Sequence, residues 1–302
     1  MLGRNLTIIG GSGGMGQVFA RYFKNHGFNI TLQDTNTENL KLIAKDLGVK
    51  YEFKLEKSLI NADIVMISIP IHSTPEMIKK VAPYLKQDTI LFDIASIKGE
   101  VFRVLNLVQK EFPINCLTIH PMFGPGIKNF QNYIIIVVRV GGTNKYKQFI
   151  EEFLNIFKSD GVFITETTSE MHDKHIALTL GIPHMFNILF LSLLKDSKES
   201  LPELTRYTGT TFLLQKILAE SIIHREMEMF GEIQIENHEF LEVLEKFEDL
   251  IQRYKKMIKE KDLDGFKKLF IELLNYSKED NHFTDSYEYF YKFLKILKEK
   301  KE

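Results

Sequence analysis

Apolar and polar residues alternate along the first half of this chain in an order that predicts strands and helices in turn. Short apolar runs, each typical of a strand, occupy residues 6–9, 29–33, 50–53, 62–69, 89–92, 117–120, 133–140 and 161–164. Segments with apolar residues at helical spacing separate most of them, at 17–25, 38–47, 75–84, 101–109 and 145–158. Strands that alternate with helices imply βαβ units, so the pattern predicts an α/β fold with a parallel, doubly wound sheet.

The pattern changes near Thr165, where the apolar β-runs stop and one helical segment follows another. We therefore predict two domains, a sheet domain at residues 1–166 and an all-helical domain at residues 167–302. The helix predicted at 240–258 has an apolar stripe with charges on its other face. Such stripes are typical of a helical core or of a dimer contact, and leaving them exposed would be costly. A homodimer through the helical domain is the expected assembly.

The first apolar run leads directly into a glycine-rich turn, and a predicted helix follows it. This order of strand, turn and helix supports the G-x-G-x-x-G match. Gly11 would permit the tight turn, Gly13 would let the backbone approach a pyrophosphate, and Gly16 would let helix and strand pack closely. The diphosphate would bind unpaired N–H groups at the helix start. The turn predicts a dinucleotide site, and hence a Rossmann domain, with contacts from Gly11, Ser12, Gly13, Gly14, Met15 and Gly16.

Asp34 ends the second predicted strand, 18 residues after Gly16. A carboxylate at this position accepts hydrogen bonds from the adenosine ribose diol and repels a 2′-phosphate. No arginine occurs at 35–37, so the sequence favours NAD over NADP. Pro70, at the end of the fourth strand, is predicted to line the same cofactor edge. The alternative is that the glycine turn is structural and that Asp34 caps a helix.

The stretch Leu-Thr-Ile-His-Pro-Met-Phe-Gly-Pro-Gly at 117–126 ends an apolar run at His120 and continues into a Gly/Pro loop. Ligands of open parallel sheets bind at the carboxyl ends of the strands, so His120 is expected to face the ligand. A lone His-Pro is also compatible with a satisfied histidine in a rigid turn. The loop at 93–99 follows the preceding strand, which predicts Ser96 Oγ within hydrogen-bonding reach of His120. That bond would fix the imidazole tautomer, as a general base requires.

Composition excludes several classes of function. The net charge of −1 gives no reason to expect nucleic acid or an anionic membrane as a partner. Cys116 is the only cysteine, which excludes an internal disulfide and indicates a reducing compartment. The chain begins close to its first predicted strand with no apparent signal peptide, so a cytoplasmic protein is expected. No metal site is predicted.

One segment, residues 176–194, is almost continuously apolar, and its length approaches the ~20 residues of a membrane span. Gly181, Pro183, His184 and Asn187 interrupt it. A helix buried in a soluble core is therefore the preferred interpretation.

Four motifs give the chain a resemblance to the prephenate dehydrogenase family, whose members oxidatively decarboxylate prephenate in tyrosine synthesis. They are the glycine turn at 10–16, Asp93 with Ser96-Ile97-Lys98-Gly99, His120-Pro121-Met122-Phe123-Gly124, and Ile182-Pro183-His184. The resemblance covers essentially the whole chain, because the helical half also looks like that family's dimerisation domain. The glycine turn alone is unspecific, whereas the serine–lysine loop followed about 24 residues later by His-Pro-Met-Phe-Gly is much more specific.

The resemblance implies roles for individual residues. His120 matches the catalytic histidine, which takes the proton of the substrate's ring hydroxyl while hydride leaves the same carbon. Ser96 matches the serine that orients this histidine and touches the nicotinamide. Lys98 in the same loop and His184 are expected to bind substrate. Lys216 falls where the family commonly has an arginine that grips a substrate carboxylate, although lysine offers a point charge and no planar fork.

Arg206 and Arg225 are alternative candidates for gripping that carboxylate. Surface lysine on a helix is the structural alternative for Lys216, and His184 is equally compatible with a histidine at a helix break. The sequence does not choose between prephenate and arogenate, although no obvious extra acidic residue near His184 mildly favours prephenate. Two other functions stay open: a β-hydroxyacid dehydrogenase, which would place a lysine base on a helix of the second domain, and a non-catalytic dinucleotide-sensing module.

A catalytic His120 must be neutral to accept a proton. The sequence therefore predicts that activity falls as the pH drops below the usual imidazole pKa, near ~6.5.

Overall fold

The computed structural model describes residues 3–224 and 227–299 of the chain. Within them the chain forms two compact units. The first extends to Thr179 and includes a later segment, Glu228–His238. The second consists of Leu180–Met227 and the chain from Glu239 onward. The chain thus leaves the first unit, returns to it briefly, and leaves it again.

The first unit is built on one mixed sheet, which contains eight strands in the described part of the chain. Each predicted strand is present, shifted by a few residues at most. The strands are β1 (Asn5–Ile9), β2 (Asn29–Gln33), β3 (Lys50–Tyr51), β4 (Ile64–Ile67), β5 (Ile90–Asp93), β6 (Asn115–Pro121), β7 (Ile134–Gly141) and β8 (Phe163–Glu166). Their spatial order is β3-β2-β1-β4-β5-β6-β7-β8. The chain therefore builds outward from β1 on one side and then crosses to β4 on the other, the topology of a doubly wound sheet.

Helices connect most of these strands, and all five segments predicted as helical in the sheet half are confirmed. A short helix at 55–59 was not predicted. The helices are α1 (Gly14–Asn25), α2 (Thr37–Leu47), α3 (Leu55–Leu59), α4 (Thr74–Val81), α5 (Gly99–Glu111), α6 (Tyr146–Ser159) and α7 (Ser169–Ile176), with 3₁₀ turns at Ile71–Ser73 and Ala82–Tyr84.

The sheet is not parallel throughout, which corrects the prediction from the sequence. Strand β7 pairs antiparallel with β6, and β8 then pairs parallel with β7. A parallel neighbour needs a crossover connection, usually a helix. Residues 122–133 contain no helix, so the chain turns back along β6. The other neighbouring pairs are parallel, as predicted.

The core lies on the central strands and on the helices that cover them. Every residue of β4, β5 and β6 is buried, as expected for strands covered on both faces. Phe19 and Phe23 of α1 pack against Phe153 and Phe157 of α6, with Phe23 and Phe153 ring centroids 5.8 Å apart. Buried aromatic pairs contribute about 0.5–1.5 kcal/mol each beyond area burial. This cluster fixes α1, whose first turn belongs to the predicted cofactor site.

Helices make up the rest of the described chain, as the sequence predicted. A π-helical turn at Ala177–Gly181 precedes them. They are α8 (Ile182–Asp196), α9 (Leu201–Arg206), α10 (Thr210–Ile223), α11 (Met227–Ile235), α12 (His238–Glu260), α13 (Leu263–Ser277) and α14 (Ser286–Glu299), with a 3₁₀ turn at Phe283–Asp285. Within the second unit, Gln215 of α10 donates to Asn187 of α8 (2.9 Å), and Phe186 of α8 packs on Phe247 of α12 (4.9 Å between ring centroids).

The apolar segment at 176–194 is not the buried core helix that the sequence suggested. Only Met185 and Asn187 of α8 are buried, and Leu189 and Leu193 are exposed. Residues Ser169–Asp196 are long and apolar enough to cross a membrane by length and composition, and 28% of their most apolar stretch is buried. A single helix of this kind is weak support for a membrane span. An apolar face that is exposed in the isolated chain instead calls for a covering surface.

The strands end with β8 at Glu166, the residue where the sequence placed the domain boundary. The compact units nevertheless divide the chain later, since α7 belongs to the first unit. Side-chain contacts, among them an ion pair of His72 with Glu232, fasten residues 228–238 to the rest of that unit. The Glu232 carboxylate accepts from Ile71 N (2.8 Å), and Asn237 Nδ2 donates to Asp173 O (2.8 Å). Domains at 1–166 and 167–302 stay a prediction.

Candidate active site

The glycine turn leads from β1 into α1 as predicted. No side chain caps α1, and its first turn contains no acidic residue. The leading N–H groups of a helix have no partner within the helix, and the helix dipole makes that end attractive to anions. Gly13 is the N-cap and is exposed, and a Cβ added there would meet only Gly10 O, at 3.3 Å. The turn therefore offers a surface that a dinucleotide phosphate could approach closely.

The tight turn itself requires Gly10, which the sequence analysis left out of the site. Gly10 has φ +78°, a conformation that side chains disfavour, and a Cβ there would collide with the Ser68 carbonyl of the neighbouring β4 segment. Gly11 lies in the same turn without a positive φ, and a Cβ on Gly11 would meet the Leu32 side chain at 2.9 Å. The role of Gly11 in permitting the turn stays a prediction. Gly16 packs closely as predicted, because its Cβ would lie 2.9 Å from Gly11 Cα.

Asp34 lies directly after β2 and is tied to the glycine turn. Its Oδ2 accepts from Ser12 N (3.0 Å) and from Ser12 Oγ (2.6 Å), and its Oδ1 accepts from Asn36 N (3.2 Å). The carboxylate is half-buried, so it stands at the position expected for a ribose-binding acid. Ser12 thus positions Asp34, in addition to any contact of its own with a cofactor.

The crevice expected for a dinucleotide lies where the crossovers change direction, between β1 and β4. Pro70 follows β4 at this point, is exposed, and begins the 3₁₀ turn at Ile71–Ser73. Gly14 approaches the loop that follows His120, since a Cβ on Gly14 would lie 3.0 Å from Pro125 Cβ. The fold therefore brings the glycine turn next to the His-Pro loop, as the sheet topology predicted.

His120 stands near the carboxyl end of β6 and is 3% exposed. Its Nδ1 lies 3.0 Å from Nε2 of His172, which is 1% exposed and belongs to α7. The other ring nitrogen of His172, Nδ1, lies 2.7 Å from Asp173 Oδ1. Asp173 also accepts from Lys98 N and Gly99 N, both at 2.8 Å, so its carboxylate caps the start of α5. A continuous chain of hydrogen bonds thus runs from the start of α5 to His120.

The predicted hydrogen bond between Ser96 and His120 is absent. Within residues 3–224 and 227–299, no hydrogen bond joins Ser96 to the imidazole, and Nδ1 of His120 is engaged by His172. The loop after β5 lies beside β6, as predicted, but the contact to His120 comes from α7. Ser96 is half-buried at this edge, and its contact with a nicotinamide stays a prediction.

Lys98 does not have the environment of a substrate-binding residue, which corrects the prediction for it. The side chain is 0% exposed. Its Nζ donates to Ala95 O (2.6 Å), Thr118 Oγ1 (2.6 Å) and Ile119 O (2.7 Å), so its three protons have protein acceptors. Asp93 Oδ1 lies 3.5 Å away. Lys98 therefore joins the loop after β5 to β6 from inside the protein.

Burial controls the electrostatics of this cluster. Burial lowers the pKa of His120 well below its usual range, and the neighbouring His172 and Lys98 lower it further. Burial also lowers the pKa of His172, although its hydrogen bond with Asp173 opposes the shift. Burial lowers the pKa of Lys98 against the attraction of Asp93 and Asp173. These shifts favour the neutral form of both imidazoles, and a neutral His120 has a lone pair that can accept a proton.

The remaining predicted residues belong to the second unit. His184 follows Pro183 in the first turn of α8 and is half-buried, and burial lowers its pKa. Lys216 of α10 forms an ion pair with Glu220 one turn later, with Nζ and Oε1 2.7 Å apart. Arg206 is exposed and pairs with Glu203, and Arg225 lies outside the described residues. The substrate contacts predicted for His184 and Lys216 stay predictions.

Sequence reasoning missed His172 and Asp173, both of which are buried in the first unit. A signal was present, because adjacent His and Asp residues occur at 172–173, in the first helix after the last strand. Their significance depends on the pairing of α7 with residues more than 50 positions earlier. No local pattern reports such a pairing.

The strand order, the glycine turn and the switch point between β1 and β4 define a Rossmann-type nucleotide-binding fold. Two family models match the chain: "Prephenate dehydrogenase, nucleotide-binding domain" over residues 19–164 and "Prephenate dehydrogenase, dimerization domain" over residues 168–272. Together they cover most of the sequence. The chain belongs to the prephenate dehydrogenase family, as its motifs indicated.

Named relatives agree with this assignment. A "Probable arogenate/prephenate dehydrogenase" of Methanocaldococcus jannaschii is 29% identical over 274 residues, which are 90% of this chain and 61% of that protein. The "T-protein" of Haemophilus influenzae is 27% identical over 86% of this chain and 64% of its own. The chain thus spans about three fifths of the length of these relatives.

A solved structure has the same fold over nearly the whole chain. Prephenate dehydrogenase from Aquifex aeolicus, in complex with hydroxyphenyl propionate and NAD⁺, superposes with a TM-score of 0.73 at 23% identity and covers 93% of this chain and 99% of its own. At this identity the likeness supports the fold alone.

Proposed function

We propose that this chain catalyses the NAD-dependent oxidative decarboxylation of prephenate to 4-hydroxyphenylpyruvate in tyrosine biosynthesis. The observation that carries the proposal is His120, a buried imidazole with a lowered pKa in β6. The loop that follows it packs against the glycine turn. A neutral base and a dinucleotide cradle at one sheet edge are what oxidation of an alcohol carbon requires.

The cofactor fits residues that the first unit provides. Gly13, Gly14, Met15 and Gly16 would hold the diphosphate at the start of α1, where no side chain competes for the N–H groups. Asp34, oriented by Ser12, would accept hydrogen bonds from the ribose diol and disfavour NADP. NAD, when bound, supplies the hydride acceptor for the ring carbon that carries the hydroxyl group.

His120 supplies the base in this proposal. Its Nε2 accepts the proton of the ring hydroxyl as hydride leaves the same carbon, which turns that carbon into a carbonyl. The carboxylate on the opposite ring carbon then leaves as CO₂, and its bonding electrons make the ring aromatic. His120 returns the proton to the resulting phenolate oxygen. General-base catalysis of this kind contributes about 10²–10⁴-fold in rate.

His184 and Lys216 are proposed to bind the substrate, on the strength of the motif at 182–184 and of the basic position on α10. Lys216 would have to exchange its ion pair with Glu220 for the substrate carboxylate. The cost of that exchange is small, because partly exposed ion pairs contribute only about 0–1 kcal/mol. Lys216→Ala should then raise KM for prephenate more than it lowers kcat.

We also propose that the chain acts as a homodimer. The family model that matches residues 168–272 describes a dimerization domain. Large apolar side chains of α8 and α10, among them Leu189, Leu193 and Leu218, are exposed in the single chain. A second copy that covers them would remove this apolar surface from water. Sedimentation of the purified protein measures whether it is a monomer or a dimer. A cytoplasmic location stays a prediction.

The activity test follows reduced nicotinamide by absorbance after purified protein is mixed with NAD and prephenate. Parallel reactions contain arogenate, or NADP in place of NAD. His120→Asn should lose about 10²-fold or more of the rate while it still binds NAD. His175→Asn is the matched control, because His175 is exposed on the same helix as His172.

The substrates separate the competing functions. Activity with arogenate but not prephenate would replace the substrate and keep the chemistry. Binding of NAD without turnover of either substrate would overturn the proposal and favour a dinucleotide-sensing module or a β-hydroxyacid dehydrogenase. The latter is disfavoured by the position of the candidate base, which lies on the sheet.

A further inference from the structure

The hydrogen bonds around His120 contain information about its protons. A carboxylate only accepts hydrogen bonds, so the 2.7 Å contact between Asp173 Oδ1 and His172 Nδ1 places a proton on that nitrogen. In a neutral His172, Nε2 is then an acceptor. The atom facing it at 3.0 Å is His120 Nδ1, which must donate. His120 therefore carries its proton on Nδ1 and a lone pair on Nε2.

Three hydrogen bonds hold Asp173 in place, and Asp173 in turn holds His172. Asp173 accepts from the first N–H groups of α5, those of Lys98 and Gly99, at 2.8 Å each. Asn237 Nδ2 donates to the Asp173 carbonyl at 2.8 Å. Both His172 and Asp173 are nearly inaccessible, at 1% and 7% exposed. The direction of the hydrogen bonds is thus set by a buried carboxylate that cannot rotate freely.

We propose that His172, ordered by Asp173, is a positioning residue that fixes His120 in the tautomer whose Nε2 accepts the substrate proton. This inference rests on the function proposed above. It assigns to His172 the orienting role that the sequence analysis gave to Ser96. The other charged groups near the imidazole pair are Lys98, which donates to the Ile119 carbonyl, and Asp93 beside it. Neither forms a hydrogen bond with the His120 ring, so neither selects its tautomer.

Two substitutions separate the two hydrogen bonds of His172. The side-chain amide of glutamine reaches the place of the imidazole Nε2, so His172→Gln can still accept from His120. The shorter amide of asparagine reaches the place of Nδ1, so His172→Asn can keep the bond with Asp173 but cannot reach His120. We expect His172→Asn to lose about 10²-fold or more of kcat, and His172→Gln about tenfold or less, within the range of general-base catalysis. KM should change little in either variant, because His172 has no predicted contact with substrate.

The tautomer itself is measured by long-range ¹⁵N–¹H correlation spectra of protein labelled on its histidines. Loss of a signal in His120→Asn assigns the His120 ring. Wild type and His172→Gln should show His120 protonated at Nδ1 at pH 7.5, and His172→Asn should show a shift toward the Nε2-protonated form. Circular dichroism and urea unfolding confirm that each variant is folded.

The spectra and the rates test the role of His172 separately. His120 protonated at Nε2 in wild type, or equal kcat values for His172→Asn and His172→Gln, would overturn the role of His172 even if prephenate is turned over. If wild type turns over neither prephenate nor arogenate, the proposed function fails and the catalytic role of His172 fails with it. If His120 is protonated at Nδ1 in that case, the spectra support only the arrangement of hydrogen bonds, without a catalytic role for His172.

Discussion

Lys98 offers the sharpest test of how the sheet edge is held together. Lys98→Met keeps the length and the apolar stem of the side chain but removes the ammonium group. Three acceptors would then lose their donor: Ala95 O, Thr118 Oγ1 and Ile119 O, all within 2.7 Å of Nζ. Asp93, which is 0% exposed, would lose the nearest opposite charge.

The loss of stability in Lys98→Met can be estimated, because Lys98 and Asp93 are both fully buried. A hydrogen bond with a charged partner contributes about 1.5–3 kcal/mol, and breaking a buried ion pair by removing one partner costs about 3–5 kcal/mol. These contributions overlap, and release of Lys98 from its own desolvation offsets part of them, since burial lowers its pKa. We expect the free energy of unfolding to fall by about 3 kcal/mol. That is a large share of the ~5–15 kcal/mol typical of a folded protein.

Urea unfolding followed by circular dichroism measures this loss. Lys80→Met, an exposed lysine on α4, is the matched control and should change stability by no more than about 0.5 kcal/mol. Asp93→Asn combined with Lys98→Met removes both charges, and Asn keeps an oxygen for Ala95 N, which now donates to Asp93 at 2.8 Å. The double variant should be about 1–2 kcal/mol more stable than Lys98→Met alone, because it no longer buries the unpaired charge of Asp93 and substitutions at residues in contact are not additive.

Kinetics decide between this structural role and the one predicted from the sequence. A buried brace predicts lower stability with KM for prephenate nearly unchanged in the protein that remains folded. If Lys98→Met instead leaves the urea midpoint unchanged and raises KM by tenfold or more, Lys98 binds substrate and the reasoning above is refuted.

Two further predictions concern pH and the glycine turn. Burial lowers the pKa of His120 and His172, so below pH ~6.5 the unfolded chain binds protons that these folded imidazoles do not. These two histidines should therefore not lower the free energy of unfolding above pH ~6.5. Below that pH the free energy of unfolding should fall, by up to about 1.4 kcal/mol per pH unit for each imidazole. Urea midpoints that stay constant from pH 7.5 to 5 would contradict this. Gly10→Ala should cost at least about 1–2 kcal/mol and weaken NAD binding, because Gly10 has φ +78° and its new Cβ would strike Ser68 O. Gly231→Ala, where a Cβ meets nothing within 4 Å, is the control, and calorimetric titration with NAD measures the binding.

The pH dependence also revises an expectation from the sequence. An unperturbed imidazole predicts that activity falls near pH ~6.5. The buried His120 has a lower pKa, so activity in the proposed reaction should stay constant to a lower pH before it falls. Only the three-dimensional surroundings of the ring distinguish these two outcomes.

Local pattern predicted much of the fold, because strands, helices and tight turns are each fixed by a few neighbouring residues. The apolar runs located the strands, and the alternation of strands with helices gave the doubly wound topology. The glycine turn located the start of α1, and the end of an apolar run placed His120 at the sheet edge. A family motif is also local, since it consists of a few neighbouring residues at a turn or at the end of a strand.

Tertiary structure decided the features that depend on residues far apart in the chain. Pairing of α7 with β6 put His172 on His120 in place of Ser96, across 52 positions. Burial between the loop after β5 and strand β6 makes Lys98 an internal structural residue, although the sequence suggested a substrate ligand. The connection at 122–133 reversed β7, and the approach of Ser68 made Gly10 the required glycine. A sequence specifies such contacts only through the packing of the whole chain, because each depends on which partner the fold brings within hydrogen-bonding distance.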